Sequence, residues 1–308
     1  MIPETFAAAI NEAAGSHCEN HAPVPGRVFH LDGDYLAYFA AGGDDMPSGT
    51  ARMVARDRII SMQRASRSES SVIHLTDDAS DKGLRYRIAT VKAYQGNRAG
   101  KSKPRNWPHV REYLLTTPEF GRSVWADREA DDGIAQAAYC ATEPIVIGST
   151  DKDMRMLPGL HLDWKTGELV EVPHGAYSVI GDNGLQYGLK WFCLQMLQGD
   201  TADNIPGLEW IVIRDKRKRC GEVAAREYLY PYDNYQDAIA AVMEAYRGCY
   251  EDEWPARFTE QAALLWLRGD REASVSDFLF DIDSKSNGAL RLAAVELCRR
   301  IGKCIDVA

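Results

Sequence analysis

The sequence predicts an α/β protein: a parallel sheet flanked by crossover helices, followed by a mainly helical C-terminal portion. Three observations carry this. Short apolar runs end abruptly in acids at Asp32, Asp77 and Asp151. Helical patterns fill the intervals between them, as parallel strands require. Beyond Gly175 the helical pattern dominates.

The elements follow in order. Residues 1–25 end in HAPVPG and read as an N-terminal extension, a short helix and a loop. The run Arg27 to Leu31 is a buried strand halted by Asp32-Gly33-Asp34. Residues 50–67 are spaced as a helix, with Met53, Val54, Ile59, Ile60 and Met62 apolar and Arg52, Arg56, Arg64 and Arg67 on other faces. Ser71 to Thr76 is a second strand, running into Asp77 and Asp78, and Pro144 to Thr150 a third, ending at Asp151 and Asp153. Between them, Glu129, Asp131 and Asp132 open a helix, where acids suit the positive end of the dipole. Helical patterns then recur near 184–198, 220–229, 235–247, 258–268 and 288–302.

Composition bounds the class. The 308 residues are 45% hydrophobic and 26% charged, values of an ordinary globular chain with one large or two modest domains. Seven cysteines, scattered singly, form no zinc-finger spacing and fit a reducing, cytoplasmic compartment; Cys193, in the apolar run WFCLQM, reads as core. The seven histidines show no ligand spacing, and His30 and His74 read as strand residues. The first residues lack a basic leader, and no uncharged apolar stretch is long enough for a membrane.

The net charge of −9 hides a segregated pattern. Residues 82–105 hold eight basic side chains (Lys82, Arg85, Arg87, Lys92, Arg98, Lys101, Lys103, Arg105) and no acid, with Tyr86 and Tyr94 interleaved and Trp107 close behind. A second cluster runs from Arg214 to Arg219 and contains Lys216, Arg217, Lys218 and Arg219, whereas residues 227–308 carry 15 acids against 9 bases. Basic stretches beside an acidic rim suit a polyanion gripped by Lys and Arg. Taken singly, each charge run has a blander reading as a solvated loop or a helix cap.

Convergence argues for more. Asp32, Asp77, Glu129, Asp131, Asp132, Asp151 and Asp153 all fall at expected strand ends or helix starts, and Asp200 and Asp203 follow in GDTADNIPG. In open parallel sheets ligands sit beyond the carboxyl ends of the strands. So many carboxylates share one site only if cations neutralise them, and hard oxygen ligands select magnesium or manganese. Two such ions about 4 Å apart stabilise the attacking and leaving oxygens of a phosphodiester displacement.

These motifs, LDGDYLAYF, LTDD, RYRIATVKAYQGNR, READD, GSTDKDMRML and LQGDTADNIPGL in that order, resemble the 5′ nuclease or flap endonuclease superfamily, most of all the 5′ to 3′ exonucleases of phages. The resemblance covers roughly residues 27–230. It implies a central mostly parallel sheet flanked by helices, a nuclease core over residues 26–183 with a helical arch at 82–105, and a helical DNA-binding region over 184–308 with a helix-turn-helix-like clamp. It implies Asp32, Asp77, Glu129 and Asp131 around a first metal ion, Asp151, Asp153 and Asp200 around a second, and Asp132 and Asp203 in support. Arg85, Arg87, Lys92, Tyr94, Arg98, Lys101 and Lys103 of the arch and Lys216 to Arg219 of the clamp would meet DNA, with Tyr94 or Tyr35 stacking on a base.

The implied reaction is 5′ to 3′ hydrolysis of duplex DNA at a 5′ end, with flap cleavage and activity on an RNA:DNA hybrid as extensions. Two departures stand out. Where the family often has Tyr-Lys-x-Asn-Arg, this chain has Gln95 in place of the lysine, and Lys92, Lys101 or Arg85 are left as candidate cations. After Ile205-Pro206-Gly207, interposed residues break the turn in which relatives often hold potassium. Two rivals are a structure-specific DNA-binding scaffold, which a loss of acids would support, and a phosphatase of the haloacid dehalogenase type, whose threonine after the second Asp is replaced here by Tyr35 and Leu36.

Overall fold

The computed structural model describes residues 22–142, 145–270, 272–280, 282 and 288–302. Most of the N-terminal extension, Pro144 of the third strand, and the histidines and cysteines His17, Cys18, His21 and Cys304 lie outside the described residues.

Six strands form the central sheet: β1 (Val24–Asp32), β2 (Ser68–Thr76), β3 (Gly121–Trp125), β4 (Val146–Gly148), β5 (Gly159–Leu162) and β6 (Leu169–Val172), in the order β3-β2-β1-β4-β5-β6. All neighbours are parallel except β5 and β6, which form an antiparallel hairpin at one edge. The chain builds outward from β1 through β2 to β3, then returns to place β4 on the other side of β1. That reversal is the switch point at which open α/β sheets bind ligands. Phe29 and Leu31 of β1, Ile73 and Leu75 of β2 and Val146 and Ile147 of β4 are all buried, as strands covered on both faces must be.

Helix α1 (Gly33–Ala41) starts immediately where β1 ends, and Asp32 caps it by accepting from the Tyr35 amide at 2.9 Å. A Cβ at Gly33 would lie 2.6 Å from Ile73 and 2.8 Å from the His74 carbonyl, so only glycine permits this tight strand-to-helix step against β2. Helix α2 (Ser48–Ala65) buries Ala51, Ala55, Ile59 and Met62. The sequence pattern suggests Met53 as part of that stripe; it is 64% exposed, because the small alanines set the face that lies flat on the sheet.

The basic segment contains only the four-residue helix α3 (Arg85–Ile88) and single 3-10 turns at 82–84 and 96–98. Helices α4 (Trp107–Thr116) and α5 (Ala130–Cys140) flank the sheet. Residues Val179–Ile180 and Gln186–Tyr187 pair as β7 and β8, and α6 (Leu189–Gln198) follows. Two small hairpins come next: β9 (Gly199–Asp200) with β10 (Ile205–Pro206), and β11 (Trp210–Ile213) with β12 (Lys216–Arg219). The interposed residues of the sequence are therefore a basic β-hairpin. Helices α7 (Glu222–Leu229), α8 (Tyr235–Tyr250), α9 (Trp254–Leu265) and α10 (Gly288–Arg300) are the remaining α-helices of the described residues.

Two apolar clusters hold these layers. One joins the sheet to α1, α2 and α4 around Phe29, Leu36, Ile59 and Leu114. The larger one joins the other face to α5, α6, α8 and α9 around Ile134, Phe192, Tyr246 and Phe258. His30 and His74 share a hydrogen bond within the sheet, ring nitrogens 2.9 Å apart, and burial pushes them down to about 4 and about 3, so both are neutral strand residues. Among the described residues no helix is long and apolar enough to cross a membrane.

Candidate metal and phosphate site

The acids gather at the carboxyl rim of β1, β2 and β4, on either side of the switch point. Asp32 ends β1; its second oxygen accepts from the Ser149 hydroxyl just after β4 at 3.0 Å. Asp151 closes the turn after β4 by accepting from the Asp153 amide at 3.0 Å. Asp200 and Asp203 arrive on the β9–β10 hairpin. A Cβ on Gly199 would sit 2.2 Å from the Gly207 nitrogen, and its φ is +73°, so this hairpin can close tightly only with glycine. Carboxylate oxygens of Asp153, Asp200 and Asp203, all buried, lie within 4.8 Å of one another.

The electrostatics record the crowding. Burial, then the charges of Asp34 and Asp151, pushes Asp32 up to about 7. Burial and the charges of Asp32, Asp151, Glu129 and Asp153 hold Asp131 well above the usual carboxylate range, although part of its surface reaches solvent. Asp153 is held high by burial, Asp151 and Asp200, and Asp151 and Glu129 are raised chiefly by burial. Carboxylates crowded in this way repel one another, and a nearby cation relieves the repulsion. A cation partly answers: the Lys152 ammonium ion-pairs with Asp200 and stands 3.9 Å from Asp153. The donor set is all oxygen, as hard divalent cations require.

Other expected site residues have partners of their own. Asp77, at the end of β2, accepts from the Ala79 amide at 2.8 Å and stands on the same rim. Asp34 and Asp78 are tied to the buried Arg111 at 2.8 and 3.4 Å. Asp132, expected in support, is fully buried, closes a capping box with Glu129 at the start of α5, and ion-pairs with Arg85. Although burial works against ionisation, the Arg85 guanidinium holds Asp132 well below the usual range.

Arg85 is a correction. Expected on a DNA-facing arch, its side chain is 2% exposed, because the Asp132 and Glu129 carboxylates and the Lys82, Leu264 and Trp266 carbonyls draw it inward. Tyr94 is another. It is buried, its hydroxyl donates to Glu129 at 2.9 Å, and its ring is not presented to solvent for stacking. Tyr35 is 38% exposed and packs edge-on against Trp164. Arg87, Lys92 and Lys101 are exposed, Lys103 lies over the Trp107 ring at 3.3 Å, and Arg98 ion-pairs with Asp203 at 2.6 Å.

Sequence reasoning missed Lys82 and Lys152 as parts of the site. Lys152 had a signal, since it lies between two of the acids. Lys82 had none beyond its place in a basic run.

The fold is similar to that of solved structures. The structure of divalent metal ions (zinc) bound to T5 5′-exonuclease matches with a TM-score of 0.53 at 16% identity, over 89% of this chain and 99% of that chain. This chain has the 5′-exonuclease fold. A second T5 structure, co-crystallised with metal ions, matches with a TM-score of 0.51 at 15% identity, over 89% of this chain and 99% of its own. The thermostable DNA polymerase I of Thermus thermophilus is 26% identical over 245 residues, 71% of this chain, and that of Thermus aquaticus is 27% identical over 220 residues, 66% of it. The chain spans 27% and 25% of the lengths of these curated relatives. No protein-family model matches the chain. The resemblance read from the motifs thus extends to the fold and to curated sequences.

Proposed function

We propose that this chain is a metal-dependent 5′ nuclease that hydrolyses phosphodiesters at the 5′ end of duplex DNA. One observation carries the reading: nine-tenths-buried carboxylates from four separate segments converge at the switch point of a sheet with the 5′-exonuclease fold. A crowd of acids has no structural value by itself; it costs stability unless cations occupy it.

Magnesium or manganese fits the donors. Asp153, Asp200 and Asp203 would hold one ion, with Asp32, Glu129, Asp131 and Asp151 arranged for a second, and Asp77 beside them. Bound divalent ions supply an activated water and neutralise charge developing on the phosphate. The chain's own residues do the rest. Ser149 and the Tyr35 amide fix both oxygens of Asp32, and Gln195 donates to Asp153. Residues 26–183 act as the nuclease core and residues 184–308 as the region that holds duplex DNA. Exposed Arg87, Lys92, Lys101, Lys216 and Arg219 contact phosphates without reading bases, so recognition follows DNA structure and not sequence. Flap cleavage and activity on RNA:DNA hybrids belong to the same proposal.

The test is degradation of 5′-labelled and 3′-labelled duplex, with and without a 5′ flap, in magnesium against EDTA, with Asp151→Ala as control. Magnesium-dependent release from the 5′ end that vanishes in the variant is expected. DNA binding without cleavage in any divalent metal would replace this reading with the scaffold one.

A further inference from the structure

The site contains one ammonium whose placement the acids alone do not explain. Lys82 Nζ donates to Gln95 Oε1 at 2.9 Å and stands 3.4 Å from Glu129 Oε1. It is 26% exposed, so it reaches the acid cluster from the solvent side. The other cations at the rim lie in closer ion pairs: Arg85 with Asp132 and Glu129, Arg98 with Asp203, Lys152 with Asp200.

The backbone beneath Lys82 is unusual. Lys82, Gly83 and Leu84 have φ of 53°, 66° and 67°, three successive residues in the left-handed region. Non-glycine residues stay there only where their surroundings over-determine them. Here Asp81 accepts from the Gly83 and Leu84 amides at 3.0 and 3.3 Å. Ser80 accepts from the Lys82 amide at 3.1 Å and donates to the Arg128 carbonyl at 2.7 Å. From beyond α9, Arg268 donates to the Gly83 carbonyl at 2.5 Å and packs so closely that a Cβ on Gly83 would lie 2.2 Å from its guanidinium. Left-handed residues also occur at ordinary turns such as Arg214 and Asp215; here the turn aims a cation at a carboxylate cluster, the setting in which such strain is kept for function.

We infer that Lys82 is the cation that meets the phosphate being cut, and that Gln95 and Arg268 are positioning residues that hold it there. The inference rests on the nuclease reading. An ammonium is a compact donor suited to a single phosphate oxygen, and its present partners are a neutral amide and a carboxylate that a divalent ion would also engage. Arg268 also gives the C-terminal helical segment a task at the site.

The experiment compares wild type, K82A, K82R and K82A/Q95K in single-turnover cleavage of a 5′-labelled duplex in magnesium, with manganese affinity measured by calorimetry without DNA. K82A should cut about a hundredfold more slowly, the scale of losing one preorganised donor. Its manganese affinity should be equal to or tighter than wild type, because a competitor for Glu129 is gone. K82R should recover part of the rate. K82A/Q95K should also recover, since residue 95 already reaches the Lys82 ammonium. K82A cutting at the wild-type rate would sink the inference and leave the nuclease reading intact. Loss of manganese affinity in parallel with rate would make Lys82 structural and overturn it too. A wild type that cuts in no divalent metal would take down both readings.

Discussion

Arg85 and Asp132, 47 residues apart, meet in a fully buried bidentate ion pair, with Nη1 and Nη2 at 2.8 and 2.9 Å from the two carboxylate oxygens. The pair joins the basic segment to the start of α5. The Arg268 amide adds a bond to Asp132 at 3.1 Å, and the Leu264 and Trp266 carbonyls accept from Arg85. Three parts of the chain are locked behind the acids. A buried pair of this kind punishes removal of one partner far more than loss of both.

Arg85→Ala or Asp132→Ala should therefore destabilise the protein by roughly 3–5 kcal/mol, whereas the double variant Arg85→Met/Asp132→Leu should recover much of that loss. Urea unfolding followed by circular dichroism measures it. If Arg85→Ala were as stable as wild type but bound DNA less tightly, the assignment of Arg85 as an internal brace would be wrong.

Lys152 makes a second prediction. Its ammonium occupies the space between Asp200 and Asp153, where a divalent ion would have to displace it. Lys152→Met should bind manganese more tightly, by roughly tenfold or 1.4 kcal/mol. Asp200→Asn should bind it more weakly. Calorimetric titration of both variants checks the pair of signs, and weaker binding by Lys152→Met would show that the lysine supports the site instead of competing for it.

The raised carboxylates set a pH dependence. Asp32 moves from an ordinary 3.8 to about 7, and Glu129, Asp131, Asp151 and Asp153 move the same way. A group whose folded value is raised binds protons in the folded chain that the unfolded chain has released. Its stabilising effect is complete below the ordinary carboxylate value and lost as pH rises towards 7. Asp132, shifted down, acts only below that window, whereas His30, His74 and His161, held neutral by burial, oppose the carboxylates across it. The histidines act alike with and without metal, so the acids show in the difference: the melting temperature gained on adding magnesium should grow as pH rises from about 4 to about 7, since ligands must lose protons to bind. Differential scanning fluorimetry in EDTA and in magnesium measures that difference; a gain that stays constant with pH would exclude a protonated acid cluster.

Much of this arrangement was legible in the sequence because it is local. A strand that runs into Asp-Gly-Asp or Thr-Asp-Asp announces its own end, and parallel strands put those ends on one rim. The burial of Arg85 and Tyr94 was not legible. Both sit in a run of basic and aromatic residues that suits DNA, yet their partners, Asp132 and Glu129, lie 47 and 35 residues away. Charge patterning reports which residues are basic, not which of them folding turns inward. The β11–β12 hairpin was hidden for a different reason. Its second strand, Lys216–Arg219, has four charged residues in succession and no alternation, and it is held as a strand by pairing with Trp210–Ile213. Likewise β5 and β6 are too short for periodicity to separate from loop.

That hairpin gives the last prediction. Its four basic side chains are not equivalent. Lys218 ion-pairs with Glu227 at 2.6 Å, and Arg217 stacks on Trp210 at 3.9 Å, so both are partly committed within the fold. Lys216 and Arg219 are exposed. Removing one cation that neutralises a duplex phosphate should lower the slope of log affinity against log salt by about 0.9. Lys216→Ala and Arg219→Ala should each weaken duplex binding and flatten that slope by this amount, with cleavage at saturating DNA unchanged. Lys218→Ala should change the slope less and show instead a small drop in stability as Glu227 is left unpaired, on the scale of an exposed ion pair. Fluorescence anisotropy over a salt series, read beside melting curves, tests the ranking. Equal slopes for all three variants would mean that the hairpin contributes only general positive charge, whereas an unchanged slope throughout would move the duplex-binding surface away from it.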